Sequence, residues 1–147
     1  AHSVSYGMIT YQTAWMKVTY PIEYMTALLS RESSNTDKIT LIIEECHRMG
    51  ILIKPPNINT SLTEFSIENE KSSFQGLAIR FGLSAIKNVG TAAIGSILQA
   101  RANQPFHSLS DFFNRVNNQK VNKRVIESLI QVGAFDKFGK RNHLLVG

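Results

Sequence analysis

The stretch Phe81–Ala100, FGLSAIKNVGTAAIGSILQA, decides how the carboxy-terminal half of this 147-residue chain is read. It predicts a short helix, a tight turn at Lys87–Gly90 and a second helix. The turn ends in glycine, which lets a ligand come close to its peptide N–H groups. The second helix opens beside it with unpaired N–H groups and the positive end of its dipole. A phosphate suits such a corner. The same residues also fit an ordinary αα-hairpin in which Val89 packs inward and Gly90 only relieves strain. On either reading, valine at position 90 is expected to impair folding as well as binding.

Downstream, Pro105 breaks the chain. Ser108 or Ser110 caps a short helix with Leu109, Phe112, Phe113 and Val116 inside. Asn117–Gln119 is a turn, and Asn122 caps Lys123–Val132. That helix carries Val125, Leu129 and Val132 on one face and stops at Gly133. Another helix starts near Arg141. Before that last one, the half thus holds four short helices in two pairs, a weak internal duplication. The second turn forms its own corner, Lys120-Val121-Asn122-Lys123-Arg124. Three cations surround a helix N-terminus whose dipole disfavours them. An anionic ligand accounts for them, and a solvated basic face does so equally.

Upstream, Val4–Tyr20 has helical spacing, and Pro21 opens a second helix with Met25, Leu28 and Leu29 on its buried stripe. Asn35 or Thr36 caps a third, Asp37–Met49. It buries Ile39, Ile42, Ile43, Cys46 and Met49 and stops at Gly50. A short β-like run, ILIK, ends at Pro55–Pro56. A polar stretch follows with Leu62, Phe65 and Ile67 as its only anchors, and 62–68 pairs with 77–82 as a small hairpin. The series Tyr6, Tyr11, Trp15, Tyr20 and Tyr24 fits a core at helical spacing better than a platform for stacking bases.

Charge divides the chain at residue 80. The formal net charge is +5, with 16 Lys and Arg against 11 Asp and Glu. Residues 1–79 hold six cations and eight acids, a net −2, and residues 80–147 hold ten and three, a net +7. A basic half beside a slightly acidic one points to a polyanion on one side, and also fits a merely soluble basic surface. The hydrophobic fraction of 43% supports a core. No apolar run is long enough to span a bilayer, and no signal peptide is visible. A single cysteine fits a reducing, cytosolic setting. The missing initiator methionine and the ending at LLVG read as a piece cut from a longer polypeptide.

No catalytic set stands complete. Glu44 and Glu45 are adjacent and diverge on a helix. Asp111 and Asp136 have no acidic neighbour. Cys46 and His47 are adjacent, and His2, His47, His107 and His143 lack ligand spacing. The expectation is therefore no catalytic residue and no metal ligand within these residues.

Four stretches in order, AHSVSYGMITYQTAWMKVTYPIEYMTALLS, NTDKITLIIEECHRMGILIKPPNIN, FGLSAIKNVGTAAIGSILQAR and KVNKRVIESLIQVGAFD, carry a resemblance that covers essentially the whole chain. It resembles the alpha subunits of bacterial DNA polymerase III, the C-family replicative polymerases. The resemblance implies a mainly α fold with a small β element, in which a helical fingers segment joins a tandem helix-hairpin-helix region. It divides the chain into the end of the fingers (1–53), a linker with the β element (54–79), the tandem hairpins (80–139) and the truncated start of a next element (140–147).

It also implies a duplex-DNA-binding site made of Lys87, Asn88, Val89, Gly90 and Thr91 at the first hairpin and Lys120, Asn122, Lys123 and Arg124 at the second. The second hairpin lacks the usual glycine, so side-chain charge replaces backbone contact there. His2, Ser3 and Tyr6 match a stretch close to the incoming nucleotide. The catalytic aspartates lie upstream in the palm, so this segment alone is expected to be inactive. The two Mg2+ ions of the polymerase would be held there, with no cofactor in this segment. Implied partners are primer–template duplex DNA, the sliding clamp and other replisome subunits, in the cytoplasm and without a membrane. An alternative is an interaction module that packs on the clamp-binding part or another replisome component and touches DNA little. Contacts to phosphates carry no sequence information and weaken with salt.

Overall fold

The computed structural model of the chain describes residues 2–146, with side chains from 11 to 145. The fold is mainly α-helical with one small three-stranded sheet. Three helices come first: α1 His2–Thr19, α2 Pro21–Arg31 and α3 Thr36–Arg48. Pro21 sits in the first turn of α2, where its missing N–H costs no hydrogen bond. Ile22, Met25 and Leu29 recur at helical spacing and are fully buried. Asn35 caps α3, its Oδ1 accepting the Lys38 N–H at 3.2 Å. After α3, Gly50 takes φ +77 and Ile51 N–H donates back to the Cys46 carbonyl at 2.9 Å.

The sheet comprises β1 Leu52–Lys54, β2 Ser66–Asn69 and β3 Leu77–Arg80, in the order β1-β3-β2. β2 and β3 form the expected antiparallel pair. The ILIK run becomes a third strand, parallel to β3, with Ile53 opposite Ile79. Pro55 and Pro56 end it at an edge, where missing donors are tolerated. Ile79 on the central strand packs with Ile22, Met25, Leu29, Ile39, Cys46 and Phe65 in the first core.

Beyond β3 the structure departs from expectation. Phe81 does not open a helix; its N–H donates to the Lys54 carbonyl at 3.0 Å, and only a single 3-10 turn, Leu83–Ala85, precedes the hairpin turn. Leu83 and Ser84 give their N–H groups to the carbonyls of Leu62 and Thr63, which ties the segment to the upstream chain, and only Ala85 and Ile86 N–H donate locally, to Gly82 and Leu83. Gly82 makes this pairing possible. A Cβ there would lie 2.6 Å from the backbone carbon of Glu64.

Four helices follow: α4 Thr91–Arg101, α5 Leu109–Arg115, α6 Lys123–Gln131 and, after a 3-10 turn at Asp136–Phe138, α7 Arg141–Val146. Phe112 is the centre of their core, edge-on to Phe106 and Phe135, each with ring centroids 4.9 Å away. Phe113, expected inside, is at the surface. Successive helical residues point about 100° apart, and Phe112 takes the inward direction of this short helix.

The polar stretch before β2 is fastened to both cores. Its buried anchors are Ile58 and Phe65, whereas Leu62 and Ile67, expected to anchor it, are exposed. Ile58 N–H donates to the Ala134 carbonyl at 2.9 Å, Arg101 Nη1 donates to the Ile58 carbonyl at 2.8 Å, and Ser61 Oγ donates to the Phe81 carbonyl at 2.8 Å. Phe81 touches both cores and lies 4.8 Å from Phe65, centroid to centroid.

Candidate nucleic-acid interface

The first corner is built by Ile86 and Val89, both buried, which pull the turn onto the second core and leave Lys87, Asn88, Gly90 and Thr91 at the surface. The left-handed residue of the turn is Asn88, with φ +71, and not Gly90. Val89 N–H is committed to the Ile86 carbonyl at 3.2 Å. Gly90 is the N-cap of α4, extended at φ −90 and ψ 177, and no side chain caps this helix. The first intrahelical bond is Ile94 N–H to the Gly90 carbonyl, so the N–H groups of Thr91, Ala92 and Ala93 face outward without helical acceptors.

A Cβ added at Gly90 would meet no atom within 4 Å. The room above Gly90 removes the packing reason for expecting a side chain there to impair folding. It leaves a helix N-terminus open to a ligand. A depression of about 340 Å³ beside it is lined by Thr63, Ser84, Thr91 and Gly95 among others. The pairing of residues 62–63 with 83–84 brings Thr63 and Ser84 to this corner, and nothing in their local sequence indicates it.

The second corner repeats the plan with different chemistry. Val121 is buried as Val89 is, and Asn122 stands at the N-cap of α6 as Gly90 does for α4. Asn122 Oδ1 accepts the Val125 N–H at 3.1 Å, so this helix start is partly closed by its own cap. Asn117 shapes the turn, its Oδ1 accepting the N–H groups of Gln119 at 2.9 Å and Lys120 at 3.3 Å. Lys120, Lys123 and Arg124 are exposed around it. Lys123 is 90% exposed and makes one loose ion pair, 3.8 Å from Glu127. The first corner therefore offers backbone donors and one cation, and the second offers three cations.

The two turns are tied across the domain. Asn88 Nδ2 donates to Ser128 Oγ on α6 at 3.0 Å, and Asn117 N–H donates to Ser96 Oγ on α4 at 2.9 Å. The Asn88 side-chain amide is thus partly engaged within the protein.

Apart from Arg124, the arginines of this half are engaged within the protein, whereas most of its lysines are not. Arg80 pairs with Glu68 and reaches the Pro55 carbonyl, and Arg141 pairs with Asp136. Arg101 is turned inward, and burial lowers its pKa. Arg115 donates to the carbonyls of Ala100, Gln104 and Pro105, pairs with Asp111, and lies 4.7 Å from the centre of the Phe106 ring. Among the described residues no ion pair holds Lys87, Lys120, Arg124, Lys137 or Lys140, all exposed. The net +7 of this half thus becomes an outward lysine-rich surface.

The aromatic series divides: Tyr24 packs against the first core, whereas Tyr11, Trp15 and Tyr20 are at least half exposed, with Trp15 and Tyr20 in edge contact at 6.0 Å, and the Tyr6 side chain lies outside the described residues. Spacing alone cannot tell which face of a helix has something to pack on. The side chains of His2, Ser3 and Tyr6 lie outside the described residues. Among the described residues no group of three or more His, Cys, Asp or Glu could hold a metal ion. No described helix is long and apolar enough to cross a membrane.

Two turns, each opening a helix at a corner with cations and each tied to the other's helix, define a tandem helix-hairpin-helix domain. The chain belongs to the helix-hairpin-helix motif family, which matches residues 50–145. It is similar to the DNA polymerase III subunit alpha of Campylobacter jejuni, 44% identical over 139 residues, which is 95% of this chain and 11% of that protein. The same subunit of Deinococcus radiodurans is 42% identical over 146 residues, covering 99% of this chain and 10% of that protein. That of Thermus aquaticus is 44% identical over 146 residues, covering 99% and 11%. The chain spans about a tenth of the length of these relatives.

Proposed function

We propose that this chain is a segment of a bacterial replicative DNA polymerase, a DNA polymerase III alpha subunit, and that within it the tandem hairpins hold duplex DNA through its phosphates without reading sequence. The observation that carries this reading is the uncapped start of α4 under Gly90, with room for a ligand and the exposed Lys87 beside it. Backbone N–H groups at a helix start and lysines without partners are both suited to a phosphate. Residues 1–53 would belong to the fingers. Polymerisation, its Mg2+ ions and its catalytic aspartates would reside elsewhere in the longer protein, in the cytoplasm, so the chain alone would not incorporate nucleotides. Contact with the sliding clamp and other replisome subunits would come through the longer protein.

Fluorescence-anisotropy titration of the chain with a labelled duplex at two NaCl concentrations tests the reading. Binding that weakens with salt, equally for unrelated sequences, is expected. No binding at low salt, or binding indifferent to salt, contradicts it.

A second reading, an interaction module, is favoured by one observation. A groove of about 560 Å³ runs beside α5, α6 and α7, lined by Leu109, Phe113, Ile126, Leu144 and Leu145 among others. Covering it with another part of the polymerase would bury the exposed Phe113 and Leu145.

A further inference from the structure

Among the described residues the buried polar side chains are Ser61, Ser96 and Ser128. Ser61 serves its own neighbourhood, since its Oγ accepts the Asn57 N–H and donates to the Phe81 carbonyl. The other two form a related pair. From Thr91 to Ser96 in α4, and from Lys123 to Ser128 in α6, the step into the helix is the same. Each serine takes a hydrogen bond from the turn of the opposite hairpin: Ser128 from Asn88 Nδ2 at 3.0 Å, Ser96 from Asn117 N–H at 2.9 Å. The second helix of each hairpin thus holds the turn of the other.

Apolar contact alone has no preferred direction and tolerates small slides. A hydrogen bond at a buried oxygen fixes distance and angle, and its loss leaves a polar group unpaired. Both bonds act on residues that shape their turns. Asn88 is held at φ +71, a conformation that side chains rarely adopt, two residues before Gly90. Asn117 folds Gln119 and Lys120 back through its Oδ1 and so directs the chain into Asn122.

We infer that Ser96 and Ser128 are positioning residues that fix the two phosphate corners relative to each other, so that both grip one duplex together. The inference rests on the phosphate-binding reading above. With the corners held in one geometry, the second engages as an intramolecular step once the first is bound, which raises affinity without any added contact. With a serine removed, one of the two ties is lost, the turns sample a wider range of relative positions, and simultaneous grip by both corners weakens.

The test compares the chain with Ser96→Ala, Ser128→Ala and the double variant. Each is first confirmed folded by circular dichroism at the assay temperature; if the double variant unfolds, the single variants carry the test. Duplex affinity is measured by anisotropy across a salt series. Nitroxides placed at Lys87→Cys and Gln119→Cys report the distance between the turns by electron–electron double resonance without DNA. The parent chain should give one narrow distance distribution, and the alanine variants a broader one. Affinity should fall by about tenfold, and the salt slope should shallow towards that of the Lys123→Ala/Arg124→Ala variant. Unchanged affinity and slope in a folded variant overturn the inference while the phosphate reading stands. Failure of the parent chain to bind duplex at low salt overturns the phosphate reading, and the inference with it.

Discussion

Asn59 and Phe106 exchange two hydrogen bonds across 47 residues of chain: Asn59 Nδ2 donates to the Phe106 carbonyl at 2.9 Å, and Phe106 N–H donates to Asn59 Oδ1 at 2.8 Å. This latch fastens the stretch after Pro56 to the loop that leads into α5, next to the buried ring of Phe106. Asn59→Ala removes both partners and leaves a backbone donor and acceptor unpaired beside the core. Urea denaturation should show a loss of about 2 kcal/mol with an unchanged m-value. A loss under about 0.5 kcal/mol, the ordinary range for a surface change, would mean that the latch holds nothing.

The elements with strong local signals were legible in the sequence. Pro21, Asn35, Gly50, Ser108, Asn122 and Gly133 mark helix ends because each acts locally, through a fixed φ, a side-chain acceptor or a left-handed backbone. What the sequence hid depends on distant partners. Phe81–Ala85 reads as helical by spacing, yet the N–H groups of Phe81, Leu83 and Ser84 are taken by carbonyls more than twenty residues upstream. The same holds for β1, which pairs in parallel with a strand some 25 residues away, and for Ser96 and Ser128, whose role appears only when the two hairpins face each other. At the first corner, sequence singled out Gly90 for close approach but did not show that Asn88 takes the left-handed conformation, because the contact that holds that asparagine comes from α6.

The second corner is predicted to act through charge. Lys123→Ala with Arg124→Ala should lower duplex affinity by a similar factor for unrelated sequences, and should shallow the log–log salt slope by about 1.8 if each cation meets one phosphate. Both side chains are exposed, so the melting temperature should hardly move. Unchanged binding would leave the first corner as the sole contact.

Acid stability should depend on two carboxylates. Backbone donation from His107, aided by Arg115, holds Asp111 below its ordinary value of 3.8, and hydrogen bonds from Lys54 and Ser72 hold Glu70 below 4.5. A depressed native pKa stabilises the fold above the unfolded-state pKa, and the contribution is lost as pH falls through the native value. Thermal melts from pH 6 down to pH 3 should therefore show falling stability. Asp111→Asn and Glu70→Gln should each flatten that fall, and parallel curves for parent and variants would contradict the assignment.

Cys46 is fully buried, and burial, partly countered by Lys17, pushes its thiol up to about 11. The thiolate is the reactive form, so a disulfide reagent at pH 8 should modify Cys46 only as fast as the chain opens. The rate should rise with urea in parallel with unfolding. Rapid labelling under native conditions would contradict the packing of α3 on the first core.

The open start of α4 has two consequences, one for stability and one for binding, and Gly90→Asp separates them. Position 90 has N-cap geometry, φ −90 and ψ 177, with no atom within 4 Å of an added Cβ. Aspartate there can accept from the first-turn N–H groups and complement the helix dipole, so folding stability should rise by about 0.5 kcal/mol. The same carboxylate occupies the place proposed for a phosphate and repels it. The deciding measurement is the duplex affinity of Gly90→Asp against the parent chain at one low salt concentration. A phosphate seated on this helix start predicts at least about a tenfold loss of affinity in a protein that is no less stable. Affinity equal to or tighter than that of the parent would contradict a phosphate at this corner.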